Sequence, residues 1–555
     1  MLPRDAPHSH RESTLALGII LPMSKPNKWI VWTLLILAIL IFCVYIIPNS
    51  SASLNRAMVS MYEPDEGAIY DVVQRMTLPK GRMDEQILRF ILYDFYHYGF
   101  PFFGLAGLTA LPFRLTGNFN NTPALMAAMR LVVSVLPSLL GILLLVYIQD
   151  RFASWRSIAL FLLLNLLPGI VRNNLWLHPD GLAFLFSTVV IYFLWRDNRQ
   201  FKKFFFLAAF FCGVLIATKL IGVYFFLTIA TLLIIGIVRK ELSFGQAVGK
   251  GVLFTVVMGL GLLAANPFMF DWHAFLLYGK TFLREMSEIT KGYDLVYTMG
   301  IAAAIKPLQE AYGRLFFILM TIMAMIYGVF RARDNHKYMI LLTWFIPLSF
   351  VVLFVSHFKY QYWLPAIVSG VTALYLLLPG NSQAQIIPRL GKPISLIASA
   401  LILLQAGLFI PVDFGILQDQ VHRADNDPRI LFYENALLTL TPLTDKGAHV
   451  YYDYRLYMPD KTQWGQETSF EMLDYGYVEN GNFDALFLLK QRILDYINPN
   501  AVGINPEELA VARVFYNDAA SGTIRNYVLL FEDKVGKVFV KKDVCVANFT
   551  PNQCQ

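Results

Sequence analysis

Asp65 and Glu66 are adjacent carboxylates set between Pro64 and a run whose apolar positions, Ile69, Val72, Val73 and Met76, follow helical spacing. Proline followed by acids at a helix start predicts an amphipathic helix lying on a membrane surface, its dipole favouring negative charge at that end. A carboxylate held there can take the proton of an attacking hydroxyl, which is the work of a general base. The ordinary structural alternative is an acidic cap on an interfacial helix.

Other residues are of types that hold an anion or a polar substrate. Asp180 opens an apolar helix behind His178, in the run Leu177-His178-Pro179-Asp180. Lys219 lies between two apolar runs, where a cation snorkels to headgroups or meets an anion. Arg130 sits about two turns into an apolar run, and an arginine there requires a partner or a cavity. Lys359 and Tyr360, in Ser356-His357-Phe358-Lys359-Tyr360-Gln361-Tyr362-Trp363, read either as substrate contacts or as an interfacial belt of aromatics and cations. His97 completes the set in the first long loop. Cations facing carboxylates suit sugar transfer from a lipid phosphate, since the phosphate leaves readily once its charge is offset.

These residues need a membrane scaffold, and the composition supplies one. The chain has 555 residues, 56% hydrophobic and 15% aromatic, and a mean hydropathy of +0.50. That is too apolar for a soluble enzyme. The formal charge of +7 comes from basic residues in short loops between apolar runs, where they report topology and not nucleic-acid binding.

Apolar runs at about 29–47, 123–149, 157–171, 181–195, 204–219, 220–238, 251–265, 315–330, 338–355, 362–378 and 393–412 predict a polytopic α-helical membrane protein of about eleven transmembrane helices. Residues 98–115 are apolar too, but they hold Pro101 and Pro112. Treating them as a surface or re-entrant helix places the basic loops 150–156, 196–203, 239–250, 331–337 and 379–392 on the N-terminal side, as the positive-inside rule requires. The tail 1–28 is then cytoplasmic, and the outer loop 48–122 and all the candidate residues share the opposite face.

Residues 413–555 are more polar, with strands expected at 448–454, 484–489, 526–532 and 536–542 and helices at 427–440 and 505–515. This predicts a soluble α/β domain on the outer side, the transmembrane region being 29–412. Cys545 and Cys554 are close enough in sequence to pair in an oxidising compartment. No dedicated ligand spacing supports a divalent metal.

The chain resembles the glycosyltransferase C (GT-C) superfamily, in the branch of protein O-mannosyltransferases and lipid A aminoarabinose transferases. The matching pieces stand in the family's order: Pro64-Asp65-Glu66; Tyr96-His97-Tyr98-Gly99-Phe100-Pro101; Ala128-Met129-Arg130-Leu131; Leu177-His178-Pro179-Asp180; Gly213 to Lys219; Asn266-Pro267-Phe268; and Phe358 to Pro365. The resemblance implies that Asp65 is the catalytic base and Glu66 its neighbour in the acidic pair. It implies further that Asp180 is a second acid of the outer site and that Arg130, Lys219 and Lys359 lie near the donor phosphate. His97 departs from the Glu-Lys pair that aminoarabinose transferases carry before the proline. The implied function is transfer of a sugar from a polyprenyl-phosphate donor to a hydroxyl of a lipid, glycan or protein, with inversion, in a bacterial inner membrane and on its periplasmic face, or on a luminal one. A transporter or lipid flippase is the alternative; it calls for internal sequence symmetry or paired broken helices, and no convincing repeat is found.

Overall fold

The computed structural model describes residues 26–79, 81–332, 334–379, 391–459 and 463–554. Most of the tail 1–28, and Arg333 and Arg389 of the basic loops 331–337 and 379–392, lie outside these ranges.

Among the described residues, six helices are long and apolar enough to cross a bilayer: Lys28–Ser51, Thr122–Asp150, Leu220–Val238, Phe244–Ala265, Asn335–Val355 and Pro393–His422. Two bent pairs, Trp155–Asn165 with Pro168–Asn174 (67°) and Ile301–Tyr312 with Leu315–Arg331 (85°), raise the number to eight if each pair is one span. The chain is thus an integral membrane protein, with fewer long helices than the eleven spans expected. The difference has a local cause. The run at 157–171 breaks before Pro168, and the runs at 181–195, 204–219 and 362–378 become Asp180–Asp197, Lys203–Thr218 and Tyr360–Val371, of 18, 16 and 12 residues. A straight crossing needs about 20 residues. Much of the apolar character in these shorter helices faces other helices: Phe184, Val190 and Ile191, and likewise Ala208, Ala209 and Leu215, are fully buried in one continuous core. Glycine permits the tightest of these approaches, because a Cβ on Gly213 would lie 2.0 Å from the Met258 carbonyl oxygen.

Residues 98–115 form the helix Phe100–Leu115, at 16 residues too short for a straight crossing. It packs on the helix Pro64–Thr77 through a second core that includes Ile69, Val73, Met76, Phe102, Phe103 and Phe268. The spacing read from the sequence thus marks the face of Pro64–Thr77 that is buried.

The C-terminal region carries a five-stranded sheet. Its strands are β1 (His449–Tyr452), β2 (Gly465–Glu467), β3 (Ala485–Leu489), β4 (Tyr527–Glu532) and β5 (Gly536–Lys541), in the order β2-β1-β3-β5-β4. β1 pairs parallel to β2 and β3, whereas β3–β5 and β4–β5 are antiparallel. Alternate residues of β3 feed two cores, Leu486 and Leu488 on one side and Ala485 and Phe487 on the other. β2 is the strand that the sequence did not announce; three residues are too few for a period to show. Cys545 and Cys554 form a disulfide.

Candidate active site

Asp65 and Glu66 follow each other at the start of one helix and part at once, since consecutive helical residues point about 100° apart. Glu66 is fully buried and turns inward to Arg130, which is equally buried. The Arg130 Nε donates to Glu66 Oε1 at 2.8 Å, and its Nη2 donates to Oε2. The Leu177 amide donates to the same Oε1 at 2.6 Å. The remaining Arg130 donors reach the Asn49 carbonyl at 3.1 Å and Ser53 Oγ at 3.2 Å. Every charge in this knot has a partner, the condition under which a buried ion pair is tolerated. Asp65, in contrast, is exposed and has no hydrogen-bond or ion-pair partner among the described residues.

The Leu177-His178-Pro179-Asp180 turn is therefore gripped from below by Glu66 and carries a second polar chain. Asp180 bonds to His178 Nδ1 through one oxygen and to Lys219 Nζ through the other. The other His178 nitrogen meets the Tyr98 hydroxyl at 2.7 Å. Trp176 stacks on the imidazole with centroids 4.2 Å apart, and its indole N–H, also buried, has no partner among the described residues. Burial pushes the His178 pKa down, against the pull of Asp180. The ring is held between a carboxylate and a phenol, fixed in orientation by both.

Lys219 reaches this turn because the helix Lys203–Thr218 ends one residue earlier, where the chain becomes extended. Its ammonium also lies 4.4 Å from the Tyr362 ring centroid, and the Lys359 ammonium lies 5.7 Å from the same ring. Backbone contact brings the aromatic loop to the same place. A Cβ on Gly99 would fall 1.5 Å from the Ala217 carbonyl oxygen, and Asn266 Oδ1 accepts from the Phe100 amide at 2.9 Å. Only glycine fits that approach. In this way Tyr96 to Pro101, Gly213 to Lys219 and Asn266 to Phe268, far apart in the chain, converge.

Asp65 joins this group through space: its charge acts on Tyr98, His178 and Tyr362, and the charge of Asp180 acts on the same three side chains. The two acids therefore face one polar cluster. His97 stands at its edge, 3.5 Å from Glu285 Oε1, with its own pKa lowered by burial. Tyr360 lies further off: its carbonyl accepts from the Tyr312 hydroxyl at 2.6 Å and its ring lies 5.8 Å from the Arg172 guanidinium.

Two acids of this neighbourhood escaped the sequence reading. Glu285, on the helix Trp272–Lys291, feels the charges of Asp65 and Lys359; burial first, and then Glu288, pushes its pKa up to about 7. Glu63 precedes Pro64, and burial followed by the Glu66 charge also pushes it up to about 7. No motif marks Glu285 in the sequence; the nearest signal is its spacing of three from Glu288 on one helix face. Among the described residues no group of three or more His, Cys, Asp and Glu side chains is placed to hold a metal ion.

Comparison with solved structures decides the fold. The apo oligosaccharyltransferase of Archaeoglobus fulgidus superposes with a TM-score of 0.51 and 12% identity over 88% of this chain and 73% of that one. ArnT from Cupriavidus metallidurans, solved bound to undecaprenyl phosphate, superposes with a TM-score of 0.50 and 12% identity over 92% of this chain and 97% of that one. The chain has the GT-C fold. No family model matches the sequence, and no curated protein matches it either. At 12% identity, the GT-C likeness is carried by the course of the backbone and not by shared side chains.

Proposed function

We propose that this chain is a membrane glycosyltransferase that moves a sugar from a polyprenyl-phosphate donor to an acceptor hydroxyl of a glycolipid, a polysaccharide or a protein, with inversion. The single observation that carries this reading is that the charge of a carboxylate without a partner, Asp65, acts on the same Tyr362 ring that the Lys219 and Lys359 ammonium groups flank. The undecaprenyl phosphate on ArnT supports a lipid phosphate as the anion those cations would meet.

In this reaction the acceptor oxygen bonds to the anomeric carbon as the bond from that carbon to the phosphate oxygen breaks. The hydroxyl proton passes to Asp65, and the bonding pair leaves with the phosphate. Lys219 and Lys359 offset the charge that grows on the departing oxygen. Asp180 holds Lys219 in place, and His178 holds Asp180. Glu66 and Arg130 act as positioning residues, since both are fully buried and bonded to each other. His97 and Glu285 border the acceptor side.

The experiment is mass spectrometry of envelope glycans and glycolipids from cells that carry the wild-type chain, no chain, or Asp65→Asn. A one-sugar mass increment that needs the wild-type chain and is lost with Asp65→Asn supports the reading. An increment fully restored by Asp65→Asn refutes the assignment of the base.

A further inference from the structure

A second site lies at the other end of the helix that begins with Asp65. Between the end of Pro64–Thr77 and the helix Met83–Ile91 is a cavity of about 400 Å³, lined by Arg75, Met76, Leu78, Arg89, Leu92, Tyr93 and Asp94. Arg75 is exposed and has no hydrogen-bond or ion-pair partner among the described residues, and the Arg89 guanidinium donates to the Leu78 carbonyl at 3.3 Å and forms no ion pair among the described residues. Asp94 forms no ion pair with either among the described residues. Arg82, which pairs with Asp84, is already satisfied.

What surrounds this cationic cavity is apolar and exposed. Met83, Ile87 and Leu88 fall on one face of Met83–Ile91 and are 76%, 54% and 56% exposed. Leu78 lines the cavity itself and is also exposed, and Leu108 and Leu115 of the neighbouring helix Phe100–Leu115 stand out as well. A short amphipathic helix with a bare apolar face, beside arginines that form no ion pair among the described residues, is built for the boundary between headgroups and acyl chains. A soluble anion would need the guanidiniums and would have no use for the leucines.

We propose that this cavity binds the headgroup of an anionic phospholipid, with Arg75 and Arg89 on a phosphate whose charge no choline offsets and the acyl chains lying along Leu78, Ile87 and Leu88. Two guanidiniums suit a phosphate because each offers parallel N–H donors to its oxygens. The cavity is also connected to the candidate active site: Tyr93 lines it, the Tyr93 hydroxyl donates to the Tyr98 carbonyl at 2.9 Å, and the Tyr98 hydroxyl meets His178. The proposal is independent of sugar transfer and stands or falls by lipid binding alone.

The test is hydrogen exchange of residues 75–94 in the full-length chain, reconstituted in nanodiscs of phosphatidylcholine with and without phosphatidylglycerol. Phosphatidylglycerol should slow exchange in this segment, with a contribution of about fivefold per arginine. The gain should shrink in Arg75→Gln, an exposed substitution that leaves the fold intact, and vanish in Arg75→Gln/Arg89→Gln; it should persist in Arg82→Gln. Equal exchange in both nanodiscs, or an undiminished gain in the double variant, overturns the site. The same slowing produced by inorganic phosphate in phosphatidylcholine nanodiscs overturns the lipid as its occupant.

Discussion

Glu66 grips Arg130 with both carboxylate oxygens, 64 residues away in the chain and out of reach of solvent. With the Leu177 amide on the same carboxylate, this knot ties the start of the Asp65 helix to the turn that carries His178 and Asp180. The free carboxylate and the second polar chain keep their separation because of a contact that neither of them makes.

Removing one half of that knot leaves a buried charge alone. Arg130→Leu should cost about 3–5 kcal/mol, seen as a lower thermal unfolding midpoint of the detergent-purified protein. Glu66→Leu/Arg130→Leu should recover part of the loss, because no uncompensated charge remains. Equal midpoints for the single and the double variant would contradict the buried pair as the source of the effect.

Asp65→Asn should behave in the opposite manner. The side chain is exposed and without a partner, so its unfolding midpoint should match wild type while turnover falls by a factor on the order of 10²–10⁴, the usual contribution of a general base. Transfer assays alongside thermal unfolding separate the two effects, and a parallel loss of stability would count against a purely chemical role.

Lys219→Met should lower turnover of the lipid-phosphate sugar by about 10²-fold, with Lys219→Arg keeping part of it, since a cation would again face Asp180. Initial rates against donor concentration provide the check. Rates equal for the methionine and arginine variants would show that the charge is not what matters.

Glu63 and Glu285 set a pH dependence of stability. Each has its pKa raised from the ordinary 4.5 to about 7 by burial first and by a neighbouring glutamate second. Between about pH 4.5 and 7 the folded chain keeps protons that the unfolded chain has released, so both groups make stability fall as pH rises through that window. Glu63→Gln and Glu285→Gln should therefore raise the unfolding midpoint relative to wild type above pH 7 and leave it unchanged below pH 4.5. Midpoints across pH 4 to 8 would reveal a shift of the wrong sign.

Much was legible before any fold was known, for definable reasons. The helical period of Ile69, Val72, Val73 and Met76 marks a buried face because burial acts on every turn. Strand alternation in 448–454, 484–489, 526–532 and 536–542 anticipated β1, β3, β4 and β5, each paired within a sheet that has two cores. The crossing count was less legible. Hydropathy measures how apolar a run is and not whether lipid or another helix covers it, so 181–195 and 204–219 read like the long spans Thr122–Asp150 and Pro393–His422.

The sequence by itself determined which residue types could do chemistry and the local elements that carry them: Pro64 starting a helix, Asp180 opening another, Lys219 stranded between apolar runs. Tertiary structure alone decided how the surroundings of these acids differ. Asp65 and Glu66 are equivalent as neighbours in a sequence, and only the arrival of Arg130 and Leu177 on one side of their helix buries Glu66 and leaves Asp65 open. The same holds for Glu285, Tyr98 and Tyr362, which gain significance from what lies across space. A charge's environment is set by contacts between residues distant in the chain, and no local pattern encodes those contacts.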